Sequence, residues 1–346
     1  MATARPAGRR LRIALIALAC ALLLPVLAAV ILLAVAIPMP GESRSAPLDP
    51  LTPAERETAS RLERHVLELS REIGERNARR CFPELEDAAA YVDREISSAG
   101  WTTESQQFDS GRVEVENVVA SRPGGKLPGE IVVVGAHYDS AEGTPGADDN
   151  ASAVALLIEL AHALSATTLD RTLRLVAFVN EEPPYFQTDT MGSLVYARSC
   201  RDAGDEVVAM ISLECLGYYS DAPGSQHYPA PLSWFYPDTG DFVGFVGNVG
   251  SRALVRRSVA SFREKGVLPS EGIAAPSWIP GIGYSDHWAF WEAGYPAVMV
   301  TDTAFFRNST YHLDGDLPDT LDYERMARLV TGLAALVTDL ASEDAR

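Results

Sequence analysis

Residues 131–150, IVVVGAHYDSAEGTPGADDN, restrict the fold more than any other stretch. The run 131–134 is β-branched with no polar face, which suits a central strand covered on both sides, and Gly135 and Ala136 let the chain approach a site closely. His137 and Asp139 follow, spaced i, i+2, so on an extended chain they share one side. The imidazole can then bind a metal while the carboxylate holds its other ring nitrogen. The loop 142–146 carries Gly, Thr and Pro and turns, returning Asp148, Asp149 and Asn150 beside His137 just before an alanine-rich apolar stretch, 151–164, that reads as a helix. Alone, Asp-Asp-Asn would read as a helix cap. Beside His-x-Asp at the end of a buried strand it reads as part of a metal site.

Further along, the strand 173–180 ends in Glu181 and Glu182. Adjacent side chains on an extended chain point opposite ways, so one carboxylate can bind metal while its neighbour faces a substrate as general base. The apolar strand 207–213 ends in Glu214, and a carboxylate inside so apolar a run needs a partner or a metal. Late in the chain, residues 308–316 contain His312. These positions amount to a ligand set of His137, Asp149, Glu182, Glu214 and His312. Nitrogen and carboxylate donors suit zinc, and an aspartate between two histidine and acid pairs can bridge two ions. His65 and His162 lie in helical stretches and His227 in a turn-rich loop where it reads as solvated, so they are left out of the set.

Strands alternating with helices predict an α/β fold, a three-layer α/β/α sandwich with a mostly parallel mixed central sheet. Such sheets collect ligands at the carboxyl ends of their strands, where these motifs lie. The predicted elements are helices over 54–77, 84–98, 151–164, 252–265 and 321–340. Strands are predicted over 102–108, 113–121, 131–134, 173–180, 207–213, 242–247 and 297–301. The turn-rich aromatic stretch 218–240 reads as a surface loop able to wall a pocket, and Tyr185, Phe186, Tyr218 and Tyr219 are its candidate wall residues.

The N-terminus sets the chain's surroundings. Residues 13–37 contain no charged side chain, and as a helix they would span roughly 37 Å, enough to cross a hydrocarbon core of roughly 30 Å. Arg5, Arg9, Arg10 and Arg12 precede this segment, while Glu42, Arg44 and Asp49 follow it. The positive-inside rule therefore keeps residues 1–12 in the cytoplasm and sends the rest across a cell membrane as a single-pass protein. The alternative is secretion after cleavage near Ala34-Val35-Ala36. Residues 38–51, rich in Pro and Ser, are expected to form a tether, and 52–346 one large domain. A net charge of −18 and the lack of a basic cluster beyond residue 12 exclude nucleic acid as a partner. Of four cysteines, Cys20 falls in the apolar segment, Cys215 reads as buried, and Cys81 and Cys200 could bridge in an oxidising compartment.

The succession AHYDS, GADDN, NEE, SLE and a late YH resembles the co-catalytic di-zinc aminopeptidases, a superfamily that also holds glutamate carboxypeptidase and glutaminyl cyclase relatives. The likeness covers roughly residues 54–341. It implies that His137 binds one zinc, that Asp149 is the bridging carboxylate with Glu182 as its partner acid, that His312 is the histidine on the other zinc, and that Asp139 orients His137. It also implies Glu181 as the general base. Glu214 stands where many members carry aspartate. His287, in Ser-Asp-His, is a rival for the late histidine, though in the family that stretch forms a pocket wall. The implied activity is zinc-dependent exopeptidase hydrolysis of a peptide with a free terminus, with two Zn2+ ions per chain. Two alternatives come with the resemblance: a glutaminyl-cyclase-like acyltransferase using one zinc, and a binding protein that keeps the fold without catalysis.

Overall fold

The structure is a computed structural model that describes residues 35–343, with Leu15 alone before them. The expected membrane segment 13–37 therefore lies almost wholly outside the described residues. Among these, no helix is long and apolar enough to cross a membrane.

The first helix, α1 (Pro53–Leu67), starts on a capping box: the Thr52 hydroxyl accepts from the Glu55 N–H while the Glu55 carboxylate accepts from the Thr52 N–H. The predicted helix over 54–77 ends early, through a wider turn at Glu68–Ile73 closed by Gly74 at φ 86°. Leaving the helix there carries Arg76 into the interior, where its guanidinium donates to the carbonyls of Leu69, Gly74, Tyr138, Pro145 and Gly146. Next come α2 (Phe82–Ser98), β1 (Thr102–Asp109), β2 (Glu114–Arg122) and β3 (Leu127–His137). They are followed by α3 (Ala153–Ala163), β4 (Arg171–Phe178), α4 (Gly192–Ala203), β5 (Glu206–Glu214) and β6 (Val243–Gly247). The chain closes with α5 (Arg252–Lys265), β7 (Ser270–Ala274), α6 (His287–Glu292), β8 (Ala297–Thr301) and α7 (Tyr323–Leu340).

The eight strands form one sheet in the order β1-β2-β4-β3-β5-β8-β6-β7. Its centre, β4-β3-β5-β8, is parallel, and so is the edge pair β6-β7. Antiparallel pairing joins β1, β2 and β4 at one side and β6 to β8 at the other. The predicted mixed, mostly parallel sandwich is thus the observed sheet, and β7 is the strand the sequence did not reveal. Val132 and Val134 of β3 face a large core shared with α1, α2, α3, α5 and α7, while Ile131 and Val133 face a smaller one built with α4 and α6. Burial on both sides is what a run of β-branched residues without polar alternation requires.

Residues 36–50, expected to include the tether, lie along α5 and β7. Arg252 donates to the Val35 carbonyl at 2.8 Å, Arg256 to that of Pro38, and Arg263 to those of Pro40 and Gly41 at 3.1 and 3.0 Å. Ala36 is buried against Ala275 and Ile282. The bridge considered between Cys81 and Cys200 is not formed. Both thiols are free; Cys200 is buried under β4 beside Arg174, whereas Cys81 stands partly exposed ahead of α2.

Candidate metal centre

Three parallel strands deliver the polar cluster to one sheet edge. His137 is the last residue of β3, Glu214 the last of β5, and Glu181 and Glu182 come just beyond β4, after Val179 and Asn180. The turn Ala147–Ser152 brings in Asp149, which has non-helical φ/ψ and is followed by a cis peptide to Asn150. His312 comes from the loop before α7 with φ 59°.

The Nε2 atom of His137 lies 3.4 Å from Asp149 Oδ1 and 3.3 Å from Glu214 Oε2. His312 Nε2 lies 2.9 Å from Asp149 Oδ2 and 3.1 Å from Glu182 Oε2. Each oxygen of Asp149 therefore faces a different histidine. Glu181 Oε2 stands 3.9 Å from His137 Nε2, on the same open space. The structure thus brings together all seven side chains singled out from the sequence.

Whether zinc fits these residues is decided by the donor atoms themselves. His137 Nε2, both oxygens of Asp149, Glu182 Oε1 and His312 Nε2 are buried and make no hydrogen bond. Donor atoms of His137, Asp149 and Glu214, and separately of Asp149, Glu182 and His312, lie within 4.8 Å of one another. Buried polar atoms left unpaired cost roughly 1–3 kcal/mol each, so converging orphans of this kind need a cation. The titration behaviour agrees. Burial pushes Glu182 up to about 8, with the Asp149 charge adding to it and the His312 contact opposing it. Burial likewise pushes Glu181 well above the usual carboxyl range. Burial would lower His312, but the facing carboxylates of Asp149 and Glu182 outweigh it and raise this histidine to about 10. Acids and imidazoles here compete for protons where a positive ion would satisfy both. The donor chemistry suits zinc.

A further set of contacts holds these side chains in place, and two of the residues that make them, Asp316 and Ser285, were not singled out from the sequence. Asp139, placed by the sequence beside His137, does more than that: its Oδ1 is 3.5 Å from His137 Nδ1 and accepts from the Glu181 N–H at 3.2 Å, while Oδ2 accepts from the Glu182 N–H at 3.1 Å. Asp316 accepts from the N–H groups of Asp148 and Asp149 at 2.8 and 3.1 Å, fixing the bridging loop. Asn150 ties that loop to β5 through Leu213 and Cys215. The Ser285 hydroxyl donates to Glu214 Oε2 at 2.7 Å. His287, the rival ligand, is instead buried, bonding the Ile282 carbonyl at 2.7 Å, and burial lowers it to about 4. His65 is a core residue bonded to Tyr91.

Beside Glu214 opens a largely apolar cavity of about 100 Å³. The loop 218–240 does wall it, but through Tyr228, Leu232 and Tyr236, together with Phe245, Ile282 and Phe306. None of the four predicted wall residues lines it: Tyr219 packs into the main core, and Tyr185 lines a separate cleft with Arg79 and Arg112.

Comparison with known proteins follows the geometry. A protein of Escherichia coli (strain K12) described as "Uncharacterized protein YfbL" is 41% identical over 285 residues, covering 80% of this chain and 86% of its own length. Leucine aminopeptidase 1 of Trichoderma harzianum is 26% identical over 240 residues, and the chain spans about half of it, 54%. The fold matches a zinc aminopeptidase from Bacillus subtilis at TM-score 0.64 with 14% identity, covering 82% of this chain and 95% of that one. It also matches a glutaminyl cyclase of Fimbriiglobus ruber at TM-score 0.60 with 18% identity, covering 85% and 97%. The model of Peptidase family M28 matches residues 117–337, which hold every residue of the cluster, and the chain accordingly belongs to that family as a zinc metallopeptidase.

Proposed function

We propose that this protein is an aminopeptidase that removes N-terminal residues from peptides with two zinc ions per chain, and that residues 13–37 hold it at a cell membrane with the domain outside the cytoplasm. The observation that carries the two-ion reading is the placement of the two Asp149 oxygens, one toward His137 and one toward His312. His137, Asp149 and Glu214 would hold one ion, and Asp149, Glu182 and His312 the other. Bound zinc lowers the pKa of a water and polarises the scissile carbonyl. Glu181 faces the same space without being needed in either set. It takes the proton of the attacking water and returns it to the leaving amine. Asp139 keeps the backbone of Glu181 and Glu182 fixed while it orients His137. The cavity beside Glu214 receives the side chain of the first residue, and its aromatic and aliphatic walls favour an apolar one.

The test is the zinc content of the purified chain after saturation and removal of excess metal. Two ions per chain are expected. One ion would favour a glutaminyl-cyclase-like transferase, and none would point to a binding protein without catalysis.

A further inference from the structure

We infer that the aromatic residues around the mouth of the active-site cavity rest on the lipid surface to which residues 13–37 tie the chain; this rests on the proposed reading of 13–37 as a membrane segment. Trp234 and Trp278 are 82% and 78% exposed, and Phe235, Tyr284 and Phe305 are exposed beside them. Single exposed apolar residues are ordinary. These five sit on the three segments that wall one cavity, 228–236, 279–284 and 303–306, or immediately next to them. Two tryptophans with most of their rings in water are costly unless something covers them, and tryptophan is the residue enriched where bilayer meets water.

The docked N-terminal segment fixes what that cover is. Ala36, near the end of the apolar run, is buried against Ala275 and Ile282, so the last residues of that run are docked on the domain and the loop carrying Trp278 and Tyr284 packs on them. From Ala275 the chain can reach at most roughly 11 Å to Trp278, and from Ile282 roughly 7 Å to Tyr284. A headgroup layer is roughly 5–8 Å deep, so neither ring can stand far from it once Ala36 is at the membrane surface. Tyr236, the residue after Phe235, donates to the Gly272 carbonyl at 2.8 Å, and Met39 lies against Gly272, so the turn carrying Trp234 and Phe235 also stands near the docked N-terminal segment. Arg252 and Arg256, bonded to the Val35 and Pro38 carbonyls, add guanidinium groups at this end, where phosphate groups of lipids lie. The cavity mouth then opens along the membrane surface, and peptides reach it there.

The experiment uses the full chain reconstituted into phosphatidylcholine vesicles whose acyl chains carry bromine at shallow positions. Residues 13–37 contain no tryptophan, so any quenching of tryptophan emission reports the domain. Quenching in the parent chain that is largely lost in a W234S/W278S variant supports the inference. A chain that sediments with the vesicles while its tryptophans stay unquenched overturns it and leaves the anchor intact. A chain that stays in the supernatant overturns the anchor reading and the inference with it.

Discussion

Asp139→Asn isolates the residue that joins the two halves of the centre. The substitution keeps size and shape, so what changes is charge and donor pattern. In the parent, one carboxylate oxygen accepts from the Glu181 N–H and the other from the Glu182 N–H, while His137 Nδ1 bonds the Asp139 backbone carbonyl at 3.2 Å with Oδ1 3.5 Å away. An amide can accept at one end only; at the other its NH2 meets a donor that has lost its partner. A hydrogen bond to a charged group contributes about 1.5–3 kcal/mol, and a buried N–H left unpaired costs about 1–3 kcal/mol. Even if relaxation recovers part of this, about 2–3 kcal/mol falls on the segment that presents Glu181 and Glu182, while the ring of His137 keeps its bond to the Asp139 backbone carbonyl. At 1.4 kcal/mol per tenfold, zinc affinity should drop roughly 30- to 150-fold, near the range found when supports of metal-binding histidines are removed. Competition with a chromophoric chelator measures it, with the exposed Asp189→Asn as a control. Affinity and turnover within a few-fold of the parent would refute the reasoning, because Asp139 would then be a bystander.

Glu181→Gln should lower turnover by at least about 10²- to 10⁴-fold while zinc stays bound, and loss of zinc would make Glu181 a ligand rather than the base. Gly135→Ala places a methyl 2.9 Å from the Val176 carbonyl oxygen and against the Phe178 ring, so it should cost about 1–3 kcal/mol and a few degrees in Tm; an unchanged Tm would count against that contact. Glu159 is buried, which raises its pKa, but the nearby His65 ring and the hydrogen-bonded Arg61 guanidinium outweigh this and hold it down at about 2. A lowered acid stabilises above its ordinary value of about 4.5, so Glu159→Gln should be less stable by up to about 3 kcal/mol at neutral pH. That deficit should close as pH falls from about 4.5 toward 2, and urea unfolding that gave a pH-independent gap would contradict it.

What could be read in advance follows from contrast within the chain. His137, Glu182 and Glu214 each end or follow a strand whose preceding residues are apolar, so a charge there has no local explanation and announces a site. The β-branched run of β3 made the central strand legible for the same reason, and the helix expected over 252–265 has those bounds in the structure. By comparison β7, five residues with a glycine at its centre, carries no periodic signal and was missed. The cavity walls were misplaced because aromatic residues in a loop do not say which way they turn. Tyr219 goes inward to the core, while Tyr228 and Tyr236 of the same loop line the cavity.

The supports of the centre were invisible for a different reason. Asp316 fixes the Asp148–Asp149 backbone from 168 residues away in the chain, and Asn308 reaches Asp148 from 160 residues away. Neither lies next to an apolar run, so each reads as an ordinary loop residue, and nothing in spacing or periodicity links them to residues 148–150. Arg76 is the extreme case, since an arginine at a helix end reads as surface, yet its five carbonyl contacts hold the loop from Tyr138 to Gly146 against the end of the first helix. Its buried positive charge also sits in the field of Asp139, Asp149, Asp316 and Glu182. Burial lowers this guanidinium to about 10, with those acids pulling the other way, so it stays charged at neutral pH. A fixed guanidinium behind the acid cluster offsets part of the repulsion that would otherwise splay the carboxylates apart before any ion arrives. His137 and Glu214, and Glu182 just beyond its strand, are therefore legible as anomalies of apolar strands, whereas the groups that make those anomalies tolerable are set by three-dimensional closure of loops.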